Sequence, residues 1–363
     1  MAAMNVGIGL GKKARKPAKR KSLGKPHKFV GMGIGTSTIK LVYRAGHSVK
    51  VVTESLPENV VDENGISAPQ TLVSILADMR KREKIHQRDV VMALGDSSAF
   101  FRHVTLPPMS DAELKINLPY EFRDYIDEDP ESFVYDYAVD DVPLNEEGEP
   151  ERLELYASAA SRELVEERAQ ILRKAGFRLK VLIPAQMAYM RLATQYQEHN
   201  PEAEDISQVF IDIGNMAVAV HLLHGNKFKA SKMIDFGCRD LDMTIADIKG
   251  VDRHVASTYK QTNFEGVLDL PECEAVYDRL CFEINKVINF YSFSNGEDVE
   301  CMYVLGGGSE IPQLMDVMRR SFDIPLHMAS KVLPPDMAGV AGIDAVALAV
   351  AGLLEGEAIA RGA

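Results

Sequence analysis

The chain has 363 residues, 46% of them apolar, enough for about two domains with packed cores, and this excludes a disordered or fibrous protein. Its net charge of −12 is unevenly spread: residues 1–28 hold nine Lys/Arg and no carboxylate, leaving 32 basic against 53 acidic side chains, or −21, on residues 29–363. A body that acidic repels a phosphate backbone, so nucleic acid is not its expected partner.

Taken in order, residues 1–28 read as a disordered basic leader, with Lys12, Lys13, Arg15, Lys16 and Lys19 to Lys21 among Ala, Pro and Gly and no apolar period. Such a leader adheres to an anionic membrane surface, at about 1 kcal/mol per basic residue near the lipid, or stays solvated with no target. No apolar stretch follows it as in a secretory signal. The longest apolar run, Ala345 to Leu354, is shorter than the ~18 residues of a membrane span, so a cytoplasmic location is expected. Strands are predicted at 29–34, 38–44 and 49–55, then a helix at 69–84 with Leu72, Ile75, Leu76 and Met79 on one face. Strands near 89–94, 99–105, 133–139 and 152–160, with helices after Ser110 and at 162–175, read as a small α+β insert over about 90–182. The Asn145 to Pro150 stretch is an exposed turn within it.

An internal repeat organises the rest. A shift of 179 residues sets Val30–Gly35 on Val209–Gly214, Ile39 on Val218, Leu41 on Val220 and Gly46 on Gly225. Each copy is an apolar strand, a Gly-bearing turn and two further strands, so a first lobe at 29–205 and a second at 206–363 are expected, with a cleft between them. Backbone N–H groups at Gly35, Thr36 and Ser37 and at Gly214 to Met216 can converge on an anion, although tight hairpins need glycine in any case. The first turn adds Lys40 and the second Asp212. A third loop, Gly306-Gly307-Gly308-Ser309, links a strand at 300–305 to a helix starting near Ile311. It lets a planar group approach the backbone, or it is simply a flexible link. Neither a Walker loop nor a GxGxxG fingerprint is present.

On a helix at 272–293, Glu283 and Lys286 are three apart; they would meet a ribose and base, or form a surface ion pair worth little. Four cysteines without a CxxC pair read as buried, reduced thiols. His221 and His224 lie three apart on a strand and point to opposite faces, which rules out joint metal chelation.

Two phosphate hairpins, a Glu-x-x-Lys helix and a triple-glycine loop, in this order, resemble the actin/Hsp70/sugar-kinase fold. The insert narrows the resemblance. Phe101 to Ser110 (FRHVTLPPMS), Glu113-Leu114, Tyr120-Glu121-Phe122, Ala157 to Ala160 with Glu163-Leu164-Val165, Ala175-Gly176-Phe177 and Glu283-Ile284 before Phe290-Tyr291 are similar to the PilM family of type IV pilus assembly. This covers residues 29 to about 355. It implies a two-lobed actin-like α/β fold with a small inserted subdomain, and ATP with Mg held between the lobes. It also implies a groove beside the insert for the cytoplasmic tail of a PilN-type inner-membrane protein, with other pilus assembly proteins as further partners. The protein would then sit at the inner face of the cytoplasmic membrane.

Carried over, Gly35, Thr36, Ser37 and Lys40 would form the first phosphate loop. Asp212 and Gly214 would form the second, with Asp212 facing the metal through water. Glu283 and Lys286 would meet ribose or adenine, and Gly306, Gly307 and Gly308 would pass beside the nucleoside. This chain departs from the pattern in having Gly33 where an aspartate orders the metal shell, Ala217 and Val218 where small hydroxyls are expected, and Gly237-Cys238 in place of a Gly-Gly pair. A docking scaffold is therefore expected, against two alternatives: an ATPase or small-molecule kinase, and a filament-forming, FtsA-like membrane-associated protein. The segment Glu355–Ala363 is too short and polar for the anchor that the last would need.

Overall fold

Alternation along the first hairpin decides which face each side chain shows. In β1 (Phe29–Ile34), Val30 and Met32 enter one core while Phe29, Gly31 and Gly33 turn to the other side. The structure, a computed structural model, describes residues 29–62 and 65–361, so the basic leader lies outside the described residues. β2 (Thr38–Ala45) and β3 (Ser48–Ser55) complete an antiparallel meander with β1. A two-residue ladder, β4 (Val61–Asp62) with β5 (Gly65–Ile66), leads to α1 (Pro69–Arg82) and then to β6 (Asp89–Leu94), which lies parallel to β1.

The insert follows as β7 (Phe100–Leu106), α2 (Asp111–Asn117), β8 (Phe133–Asp141) and β9 (Leu153–Ser161), an antiparallel sheet ordered β7-β9-β8. One face buries its own core around Leu118, Phe122, Phe133 and Leu155. The other meets the second half of the chain through Phe101, which stacks on Tyr156 at 5.6 Å and meets Phe228 edge-on at 5.3 Å. Ser110 caps α2 reciprocally with Glu113. Ser110→Ala is expected to lower stability by about 1 kcal/mol, measured as a reduced urea midpoint.

The chain returns through α3 (Arg162–Lys174), β10 (Arg178–Pro184) and α4 (Ala185–Gln197). β10 pairs in parallel with β6, giving a first sheet ordered β10-β6-β1-β2-β3 with α1 and α3 on its outer face. The insert is thus narrower than the expected 90–182. β6 and β10 are runs buried on both faces, as parallel strands are, and they belong to the main sheet together with the helix that packs on it.

The second half repeats this order. β11 (Ser207–Ile213), β12 (Val218–His224) and β13 (Lys227–Ile234) form the meander. After α5 (Cys238–Lys249), α6 (Arg253–Thr262) and α7 (Pro271–Asn295), β14 (Cys301–Leu305) lies parallel to β11. α8 (Pro312–Ser321) leads to β15 (Leu326–Met328), parallel to β14, for a sheet ordered β13-β12-β11-β14-β15. Helices α5 to α8 contribute its outer core. The chain ends its described course with α9 (Pro335–Ala338) and α10 (Ala347–Arg361).

Between the two sheets lies a core built by α4 and α10. α4 sets Tyr189 against Phe210 of the second sheet, at 5.6 Å between ring centroids. α10, placed by the sequence division in the second lobe, packs instead on the first sheet. A Cβ at Gly31 would overlap the Ala349 carbonyl, and one at Gly356 would lie 2.7 Å from the Phe29 ring, so helix and strand approach at backbone distance. No helix among the described residues is long and apolar enough to cross a membrane.

Candidate functional site

The two hairpins share one register. Gly33 stands opposite Lys40, and 179 residues later Asp212 stands opposite Ala219. By strand alternation both pairs lie on the faces turned toward the seam between the sheets. One hairpin therefore brings a cation to the seam and the other a carboxylate.

The turns themselves meet. Asn215 Nδ2 donates to Thr36 Oγ1 at 3.2 Å, and these are equivalent positions of the repeat. Each turn closes alike, Gly35 N–H to the Thr38 carbonyl at 2.9 Å and Gly214 N–H to the Ala217 carbonyl at 3.1 Å. The Ser37 carbonyl accepts from Leu56 N–H at 2.8 Å. The start of α5 clamps the second turn, with Cys238 N–H on the Gly214 carbonyl at 3.1 Å and Arg239 N–H on the Asn215 carbonyl at 2.8 Å. Gly237 has to be glycine there, since a Cβ would lie 2.6 Å from the Asn215 oxygen.

The glycine turn after β14 lies beside the second hairpin. Gly306, at φ +85°, has no room for a Cβ against Asp212 and Ile213, and Gly308 has none against Ile213 and Cys238. Gly307 between them faces open space. Cys238 reports how closely the groups converge. Burial pushes its thiol up; Lys260 and Lys40 pull it down, while Asp242 and Asp212 add to the rise. Cys238 is partly exposed, whereas Cys273, Cys281 and Cys301 are buried, and all four are free thiols.

Asp212 is held from the α4 side, where Tyr189 Oη donates to its Oδ2 at 3.1 Å. Burial, reinforced by Asp212 and Asp96, keeps the Tyr189 phenol well above its ordinary value, so it remains a donor. The Tyr189 ring lies 4.1 Å from that of His221, whose Nε2 is 3.1 Å from Asp96 Oδ2, while Gln186 Nε2 donates to Asp96 Oδ1 at 2.6 Å. Asp96 sits where the chain leaves the first sheet for the insert. His224 turns the other way, to Ser207 Oγ at 3.1 Å.

Of the expected site residues, the structure brings together Thr36, Lys40, Asp212, Gly214, Gly306 and Gly308, with Gly35 and Ser37 in the same turn and Gly307 at the opening. Glu283 and Lys286 instead pair with each other on α7, at 2.8 Å and largely in solvent. Sequence reasoning took Asn215 for its backbone N–H alone and not for its side chain, and it passed over Tyr189, Asp96, Gln186 and Arg239. Only Asn215 carried a signal, its equivalence to Thr36 in the repeat.

A family profile described as type IV pilus assembly protein PilM matches residues 31–338. Among solved structures, a PilM-PilN type IV pilus biogenesis complex superposes with a TM-score of 0.76 at 23% identity, covering 91% of this chain and 98% of that one. The ethanolamine utilization protein EutJ from Carboxydothermus hydrogenoformans aligns with a TM-score of 0.55 at 13% identity, covering 92% and 91%. These likenesses establish the actin-like two-lobed α/β fold. The profile match spans most of the sequence, and the chain belongs to the PilM family of type IV pilus assembly proteins.

Proposed function

We propose that this chain is an assembly scaffold that holds ATP at the facing turns and docks the cytoplasmic tail of a PilN-type membrane protein beside its insert. On this reading it works at the inner face of the cytoplasmic membrane without crossing it. The observation that carries the nucleotide half is the contact of Thr36 with Asn215, on hairpins where Lys40 stands opposite Gly33 and Asp212 packs on the glycine turn. Thr36, Ser37, Lys40 and Gly214 would face the phosphates, and Gly306 to Gly308 the nucleoside.

The docking half is supported by the relative solved as a PilM-PilN complex and by a groove of about 1270 Å³ between the insert and α3. Glu128 and Ser132 line one side of that groove, with Glu163, Glu166 and Arg173 on the other. Carboxylates and arginines alternate along it, with Glu128, Glu163, Glu166 and Glu167 beside Arg162, Arg168 and Arg173, which suits a peptide carrying charges of both signs. Glu166→Arg, on an exposed position, is expected to weaken binding of the tail roughly tenfold without unfolding the protein, read by calorimetry with the tail peptide. A wild-type chain that binds no tail with or without ATP would overturn the docking half. Turnover is disfavoured by Gly33, because a carboxylate there is a natural orienter of metal and water. Phosphate release above that of an Asp212→Ala control would restore an enzymatic reading.

A further inference from the structure

The magnesium ion expected at Asp212 does not fit the residues present. Position 33, the repeat equivalent of Asp212, is glycine, and Ala217 and Val218 bring no hydroxyl. Asp212 itself has one oxygen engaged, Oδ2 accepting from Tyr189 at 3.1 Å, and its Oδ1 lies against the Gly306 backbone. A hydrated magnesium ion keeps several waters and demands near-octahedral geometry, so it needs a carboxylate with an open side.

Cations stand beside the two turns, Lys40 opposite Gly33 and Arg239 against Met216. Lys40 makes no hydrogen bond or ion pair among the described residues, and it lies near enough to Cys238 to influence the thiol. Arg239 lies on the second turn, where Nη1 donates to the Met216 thioether at 3.3 Å and Nε is buried with no partner. A buried guanidinium nitrogen satisfied by nothing is costly, and an anion oxygen is its natural acceptor. Lys260, by contrast, is already paired with Asp242 at 2.7 Å. The two cations left without carboxylates therefore flank the turns from opposite lobes, Lys40 from the first and Arg239 from the second.

We infer that this chain binds ATP as the metal-free anion, with Lys40 and Arg239 neutralising the phosphates in place of magnesium. This rests on the nucleotide reading above. It also explains how an actin-like site lacking its first-turn carboxylate retains affinity for a polyphosphate: the missing acid is a loss only where a metal must be held. Without it, the cation of Lys40 faces the ligand undiminished.

The test is thermal unfolding and calorimetry of the full chain with sodium ATP, in magnesium and in excess EDTA. The stabilisation is expected to be at least as large in EDTA. Arg239→Gln is expected to weaken binding in EDTA by roughly tenfold or more, as loss of a charge-assisted contact does. Gly33→Asp, whose new side chain has space because a Cβ there lies 4.0 Å from Lys40 Cβ, is expected to make binding magnesium-dependent. Its unfolding without ligand checks that it folds. Stabilisation that disappears in EDTA, or an Arg239→Gln chain that binds like wild type, overturns the inference and leaves the nucleotide site standing. No stabilisation in either buffer overturns the nucleotide site and the inference with it.

Discussion

Gly307→Val abolishes stabilisation by ATP while leaving the unliganded protein as stable as wild type: that is the outcome expected from the glycine turn. The three glycines are not equivalent. Gly306 and Gly308 abut Asp212, Ile213 and Cys238, and any side chain there disturbs the fold. At Gly307 a Cβ meets nothing within 4 Å, and the backbone is not in the left-handed region, so valine is tolerated but fills the approach. For wild type, ATP at a hundredfold excess over Kd contributes about 2.7 kcal/mol, and the variant loses it. Surface changes of this kind shift the unliganded stability by only about 0.5 kcal/mol. Lys40→Ala is expected to lose the same ligand effect by removing charge. Thermal unfolding with and without ATP reads both, and a Gly307→Val chain that keeps the wild-type shift would place the nucleotide elsewhere.

The largest effect on the fold itself is expected at Gly31. Its backbone is ordinary extended strand, so conformational freedom is not the reason for glycine there; space is. A single methyl would overlap the Ala349 carbonyl and come within 2.8 Å of Leu353 N, both rigid backbone of α10. Because neither atom can rotate away, Gly31→Ala has to push the helix off the sheet, at a cost of about 3 kcal/mol, the upper part of the range for overpacking. Urea unfolding measures it. Gly95→Ala is the control, since Gly95 sits at φ −65° with nothing within 4 Å of a Cβ, and it should be nearly neutral.

Much of this arrangement was legible in the residues. Alternation gave the meander strands, and the 179-residue repeat predicted that the two turns would be equivalent, which the Asn215–Thr36 contact realises. Gly31 carried no such signal: the backbone it abuts, at Ala349, lies more than 300 residues away, and no local pattern names it. α4 went unread because it is buried almost all round, with no polar face to set a period. The insert is narrower than expected because β6 and β10 are short apolar runs whose sheet membership depends on distant pairing, β6 with β1 and β10 with β6. Tyr189 and Arg239 gave no signal at all: each acquires its role only when α4 or α5 is laid against the second hairpin. Glu283 and Lys286 were correctly spaced for one helix face, yet spacing does not distinguish a pair that meets a ligand from one that meets itself.

The crossing of α10 onto the first sheet bears on how the protein is made. A ribosome delivers β1 to β3 early, but the helix that covers Gly31 and Phe29 emerges about 300 residues later, roughly 15–60 s at about 5–20 residues per second. Through that interval α4 covers part of the seam face of the first sheet, but the patch around Phe29 and Gly31 lacks the helix that packs on it. Vectorial synthesis therefore cannot finish the first half before the second, and the two must mature together after residues 347–361 have left the exit tunnel.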